Sequence, residues 1–166
     1  MKLVKIVTLV LFTGVFTSLN AQNGVTGGWK VHLPFQTASS LTADNRKIYV
    51  GGPSGIFTYG IDDRELELWD KSRGLASFSV NVLKYSPDLD VLMIVYQNAD
   101  IDLIKNGVIY NLPDIARKQT VGEKRISHIY FNGQYAYLSG SLGIIVVDLL
   151  KREIKDSYTN IGPALS

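Results

Sequence analysis

Apolar residues in this chain come in short runs separated by turn formers, and no stretch repeats them at helical spacing. Ile48-Tyr49-Val50, Gly55 to Tyr59 and Leu66-Glu67-Leu68 form a first group. Val80 to Tyr85, Val91 to Tyr96, Ile101 to Ile104 and Val108 to Tyr110 form a second. Ile126 to Phe131, Tyr135 to Leu138, Ile144 to Leu149 and Ile154 form a third. The runs are rich in β-branched and aromatic side chains, which suit a pleated, half-buried surface. Closely spaced short strands of this kind predict an antiparallel all-β fold.

The three groups are related. Aligning Gln36–Gly74 with Lys124–Gly162, a shift of 88, pairs identical residues at 8 of 39 positions without a gap. They include Ser39/Ser127, Tyr49/Tyr137, Gly52/Gly140, Gly55/Gly143, Arg64/Arg152 and Glu65/Glu153. Half that shift, 44, brings in the middle group. Asp44, Asp88 and Asn132 then fall in register, as do the triples Leu41/Tyr85/Ile129, Val50/Ile94/Leu138, Phe57/Ile101/Ile145, Tyr59/Leu103/Val147 and Leu66/Tyr110/Ile154. A period of 44 is the length of one four-stranded propeller blade. The expected fold is therefore a partial β-propeller of about three blades, near 36–79, 80–123 and 124–166. In the first blade the strands are expected near 37–43, 46–51, 55–61 and 65–70. Asp44-Asn45 and Asn132-Gly133 read as hairpin corners. Gly52-Pro53-Ser54-Gly55 and Gly140-Ser141-Leu142-Gly143 read as links from second strand to third. Propellers close with ~4–8 blades. Three would leave two bare ends, so the expectation is a piece of a longer protein, with a complete small β-domain as the rival.

The start of the chain reads as an address. Lys2 and Lys5 precede an apolar run of 11 residues, Ile6 to Phe16. A bilayer span needs ~20 residues. A basic start and a short apolar core predict a secretory signal peptide over 1–21, cut after Ala21, then a segment 22–35. No span is expected once it is removed, and the mature chain would be exported to the periplasm or the outer-membrane surface.

Composition narrows the chemistry without choosing any. The chain is 46% hydrophobic and 19% charged, which excludes wholesale disorder. With no cysteine it has no disulfide, thiolate metal site or cysteine nucleophile. Its 17 basic and 15 acidic residues become 15 and 15 without Lys2 and Lys5, so charge gives no case for nucleic acid.

Several stretches carry a resemblance. They are Trp29 to Leu33, Asn98 to Gly107, Ile126 to Phe131, Tyr135 to Ser139, and Gly143 to Leu149 running on to Asp156. Together they resemble the N-terminal β-propeller of the PorZ family, type IX secretion components of Bacteroidetes. The likeness runs from about Gly28 to Pro163. Single blades also resemble the periplasmic propellers of two-component regulators. The resemblance implies a secreted, non-catalytic interaction module of an attachment machinery at the outer membrane. Its implied partners are other outer-membrane secretion components and anionic lipopolysaccharide. The alternative is a sensor propeller that binds a carbohydrate.

The sequence offers few groups for chemistry, and it assigns no catalytic, cofactor or metal site. His32 and His128 read as structural, His128 on an ordinary strand position. Asp100 and Asp102 share a strand face, the spacing of an acid–base or calcium pair, but the rest of a calcium loop is missing. A solvated strand face is the preferred reading. The turn Asp62-Asp63-Arg64-Glu65 reads the same way. Arg117-Lys118 and Lys124-Arg125 could meet an acidic glycan, although such charges more often solvate a loop. The recurrent Tyr49, Tyr59, Tyr85, Tyr110, Tyr130 and Tyr137 are expected to pack between blades.

Overall fold

Period-two alternation and the glycine and aspartate corners together specify meanders. The structure, a computed structural model, describes residues 37–120 and 122–159. The expected signal peptide with its cut after Ala21, the 22–35 segment and His32 lie outside the described residues. Three four-stranded antiparallel sheets follow one another. The first is β1 (Ser40–Ala43), β2 (Lys47–Gly52), β3 (Gly55–Gly60) and β4 (Leu66–Trp69). The second is β5 (Val80–Ser86), β6 (Val91–Tyr96), β7 (Ile101–Lys105) and β8 (Val108–Leu112). The third is β9 (Ile126–Asn132), β10 (Tyr135–Gly140), β11 (Gly143–Asp148) and β12 (Glu153–Tyr158). A 3-10 turn at Lys71–Arg73 and a single-turn helix, α1 (Asp114–Arg117), lie in the two connections between sheets. The first strands lie side by side, β5 between β1 and β9, as in the inner ring of a propeller. The expected all-β partial propeller is the fold observed.

The middle sheet shows what holds the array together. Every residue of β6 is buried, because both faces of this strand are covered. Val91, Met93 and Val95 point to one side, into a core with Ile129, Leu138, Ile145 and Val147 of the third sheet. Leu92, Ile94 and Tyr96 point to the other, into a core with Ile56 of the first. Successive strand residues face opposite ways, so one apolar run serves two interfaces. Each such side chain contributes about 1.5–3 kcal/mol on burial.

The 88-residue relation between the outer sheets holds in the pairing of their first three strands up to a bulge at Ser139/Gly140, and a bulge at Val146/Val147 offsets part of the last pair by one residue. Leu41 pairs with Val50 and Val50 with Phe57; Ile129 pairs with Leu138 and Leu138 with Ile145. Even backbone conformation repeats. Arg64 and Arg152 both adopt a left-handed φ, 59° and 57°, at the corner before the fourth strand.

The 44-residue relation does not survive in the middle sheet. Ile94 does match Val50 and Leu138, but it pairs with Leu83 and Asp102, not with Tyr85 and Ile101. The pairing with Leu83 reflects a β5–β6 hairpin with longer arms than β1–β2, and the pairing with Asp102 follows from loop length. The β2–β3 and β10–β11 links hold two residues between Gly52 and Gly55 and between Gly140 and Gly143. The β6–β7 link is longer, closing with a Tyr96 N to Asp100 O bond and placing Ala99 at φ 62°. One added residue turns every following side chain to the other face. Ile101, Leu103 and Tyr110 therefore face the third sheet, whereas Phe57, Tyr59 and Leu66 occupy the opposite face of theirs.

Candidate functional site

The middle register shift puts Asp102 where the outer sheets have Phe57 and Ile145. The expected solvated face is thus corrected at Asp102, which has no solvent exposure. Its Oδ2 accepts from the Tyr96 hydroxyl at 2.7 Å and from Ala76 N at 2.9 Å. Its Oδ1 accepts from Asn111 Nδ2 at 3.0 Å. Burial, then the Asp102 charge, raises the Tyr96 hydroxyl pKa. Asp100 is partly exposed and accepts from the same Asn111 amide at 2.8 Å. The two carboxylates are thus divided between a buried clasp and a turn, and they do not form a pair open to substrate. A polar residue inside the apolar run Ile101 to Ile104 was the available sequence signal.

A cleft of about 510 Å³ opens between the first and second sheets at the end carrying the β1–β2 and β5–β6 corners. Tyr49, Trp69 and Tyr85 supply its aromatic wall, and Asp44, Asp90 and Arg46 supply charge. The Tyr49 and Tyr85 rings stack across the joint, 6.5 Å between centroids and 16° between planes. Each hydroxyl donates 2.8 Å to a carboxylate, Tyr49 to Asp44 and Tyr85 to Asp90. Asp44 also accepts from the backbone N of Arg46 and Lys47 at 2.7 and 2.6 Å. Burial raises the Asp44 pKa, but these amide bonds and the Tyr49 bond outweigh it and hold the group below its usual range. Burial and the Asp90 bond push the Tyr85 pKa up to about 12. The carboxylates are engaged as turn and hydroxyl acceptors. The arrangement offers an aromatic, polar crevice suited to recognition.

The remaining candidates fall in separate places. Tyr49 and Tyr85 pack between sheets as expected, and Tyr110 lies beneath the Arg152 guanidinium, 3.6 Å from its ring centroid. Tyr59, Tyr130 and Tyr137 are the exceptions, on sheet faces turned away from the middle sheet, with Tyr130 64% exposed. His128 lies exposed on β9. Asp62, Asp63, Arg64 and Glu65 form the exposed β3–β4 corner. Gly52 and Gly55 pair across a hairpin, as expected of that link. Arg117, Lys118 and Arg125 are exposed near α1, while Lys124 Nζ donates 2.7 Å to Ala116 O. Among the described residues no three His, Cys, Asp or Glu are grouped to hold a metal.

Comparison with known proteins places this architecture. The structure is similar to PorZ of Porphyromonas gingivalis, an essential surface component of its type IX secretion system, with 24% identity and a TM-score of 0.69. That alignment covers 73% of this chain and 16% of that one. The extracellular domain of a hybrid two-component system from B. thetaiotaomicron is similar at 16% identity and TM-score 0.61, covering 79% of this chain and 18% of that one. Apo AztD from Citrobacter koseri follows at 14% and 0.56, covering 76% and 35%. At these identities the likenesses show the fold. No curated protein matches the sequence. The sequence itself matches the PorZ N-terminal β-propeller domain of type IX secretion over residues 48–165, spanning all three sheets. The chain belongs to the PorZ N-terminal β-propeller family.

Proposed function

We propose that this chain acts as a non-catalytic interaction module of a type IX secretion attachment machinery, exported to the outer-membrane surface. Family membership across residues 48–165 is the observation that carries the reading. The partners are other outer-membrane secretion components, which would meet the rim where corners and inter-sheet clefts open. Anionic lipopolysaccharide would meet the exposed Arg117, Lys118 and Arg125 rather than the tyrosine cleft, whose Asp44 and Asp90 repel anions. Among the described residues no helix is long and apolar enough to cross a membrane.

The test is affinity capture of the tagged protein, expressed from its own gene, out of outer-membrane extracts. Type IX components should be enriched, and loss of the gene should leave cargo proteins unanchored. Recovery with a membrane signalling kinase would instead favour the sensor-propeller reading, and recovery without secretion components would contradict the proposal. Neutralising Arg117, Lys118 and Arg125 should weaken binding to anionic lipopolysaccharide and leave neutral lipopolysaccharide unaffected.

A further inference from the structure

The cleft between the first two sheets is short of positive charge. Four carboxylates line it, those of Asp44, Asp62, Asp63 and Asp90, and none forms an ion pair with a described residue. Of the two cations in the lining, Lys47 is taken by Glu67, with Nζ 2.9 Å from Oε2. Arg46 is exposed, near Asp44 but outside ion-pair contact. Four acids against one unspent base leave the walls net negative. Asp44 and Asp63 accept backbone amides, Asp63 from Glu65 at 3.0 Å. Asp90 accepts the Tyr85 hydroxyl through Oδ1, while its Oδ2 and the Asp62 carboxylate bond no described residue.

The aromatic wall is arranged for a cation as well. The Tyr49 and Tyr85 hydroxyls donate to Asp44 and Asp90. A hydroxyl polarised toward a carboxylate leaves its ring richer in electrons, and an electron-rich face attracts positive charge. The cleft volume of about 510 Å³ lies within the ~300–1,000 Å³ of ligand pockets.

The second joint shows the fit within this same chain. Ile94 pairs with Asp102 and the matched Leu138 with Ile145, so the β7–β8 corner corresponds to the β11–β12 corner. The β11–β12 corner holds four residues between the paired Asp148 and Glu153. Its Arg152 guanidinium lies 3.6 Å from the ring centroid of Tyr110 on the middle sheet. The β7–β8 corner holds only Asn106 and Gly107 between the paired Lys105 and Val108, and both line the cleft. One joint thus brings its own guanidinium to a tyrosine ring, and the other has a two-residue turn and an opening.

We propose that this cleft seats an arginine side chain of a partner polypeptide. The planar guanidinium lies along the tyrosine rings and forks onto carboxylates, Asp62 from the first sheet and Asp90 from the second. Lysine, a compact and strongly hydrated charge, stacks less well and cannot fork. The polypeptide source rests on the secretion reading above, whereas the affinity of the cleft for a guanidinium does not.

Calorimetric titration of the protein, expressed from its own gene, with acetyl-Gly-Ser-Arg-Ser-Gly-amide tests this. Saturable one-to-one binding is expected. It should be about tenfold tighter than for the same peptide carrying citrulline, which keeps the shape and lacks the charge. The lysine peptide should fall between the two. Asp62→Asn/Asp90→Asn should weaken arginine binding about tenfold and leave the melting temperature unchanged. Both positions are exposed, and asparagine tolerates the φ of 52° at position 90. Glu123→Gln, at an exposed acid outside the cleft, should change nothing. Should the double variant unfold, the citrulline comparison still decides, because it needs no variant. Equal affinity for the arginine and citrulline peptides would overturn the proposal. So would native binding by a folded double variant, or tighter binding of spermidine or maltotriose than of the arginine peptide. Failure of the capture experiment above, with arginine binding intact, would overturn the secretion reading and leave the guanidinium seat standing.

Discussion

Asp102 and Tyr96, on neighbouring strands of the middle sheet, are joined by a 2.7 Å hydrogen bond, and neither has any solvent exposure. The pair occupies the joint between the first two sheets, where apolar residues stand in the outer sheets. It also holds the crossing segment, through Ala76 N. The longer β6–β7 link brings the carboxylate to that face, and its three donors keep it from being an uncompensated buried charge.

Asp102→Ala should orphan the Tyr96 hydroxyl and the Ala76 amide. Each unsatisfied buried group costs about 1–3 kcal/mol, so the variant should lose about 2–6 kcal/mol in a urea melt. Asp102→Leu with Tyr96→Phe should recover part of that loss, because one orphan disappears and the row becomes apolar like its neighbours. Equal melts for native and Asp102→Ala proteins would show that the clasp carries no stability.

Gly51 is placed by close approach. A Cβ there would stand 2.5 Å from Val80 Cγ1 and 2.8 Å from Leu83 Cδ2 of the second sheet. Gly51→Ala should therefore push the first two sheets apart and lower stability by about 1–3 kcal/mol, the usual range for overpacking. Val80→Ala in the same chain should relieve the clash, so the double variant should be more stable than the sum of the single effects requires. A neutral Gly51→Ala would mean that the joint is looser than described.

The Tyr85 hydroxyl gives the joint an alkaline limit. Its folded pKa is raised from 10.0 to about 12. A raised folded pKa means that its contribution is complete below the unfolded value and falls away as pH climbs from about 10 to 12. Tyr85→Phe should flatten the decline of thermal stability across that window and leave its slope near neutral pH unchanged. An identical alkaline slope in both proteins would contradict the assignment.

Most of the architecture was legible because it repeats. The 88-residue identities placed the strands of the outer sheets and most of their pairing, the bulges of the third sheet excepted, and the glycine and aspartate corners marked the hairpins. The middle sheet departs from a period of 44 on both sides of Ile94: its first hairpin is longer, so Leu83 and not Tyr85 matches Leu41, and one added loop residue after β6 reverses the faces. Asp102 reads as solvated from its charge and its spacing to Asp100, whereas that reversal turns it into the joint. The tyrosine cleft was half visible: recurrence pointed to Tyr49 and Tyr85 as packing residues, but nothing in the spacing said that their hydroxyls would meet Asp44 and Asp90. Tyr130 shares the recurrence yet lies on an outer face, since position in the array, not the repeat, decides burial.

The central claim is that Met93 and Ile94, adjacent in sequence, belong to different cores. Methyl nuclear Overhauser spectra of the selectively labelled chain measure this directly. The account predicts cross-peaks from the Met93 methyl to Leu138 and Ile145 and from the Ile94 methyl to Ile56, with no exchange of partners. Cross-peaks from both methyls to one shared set of residues would mean a single closed barrel or sandwich, and would contradict a stack of three sheets.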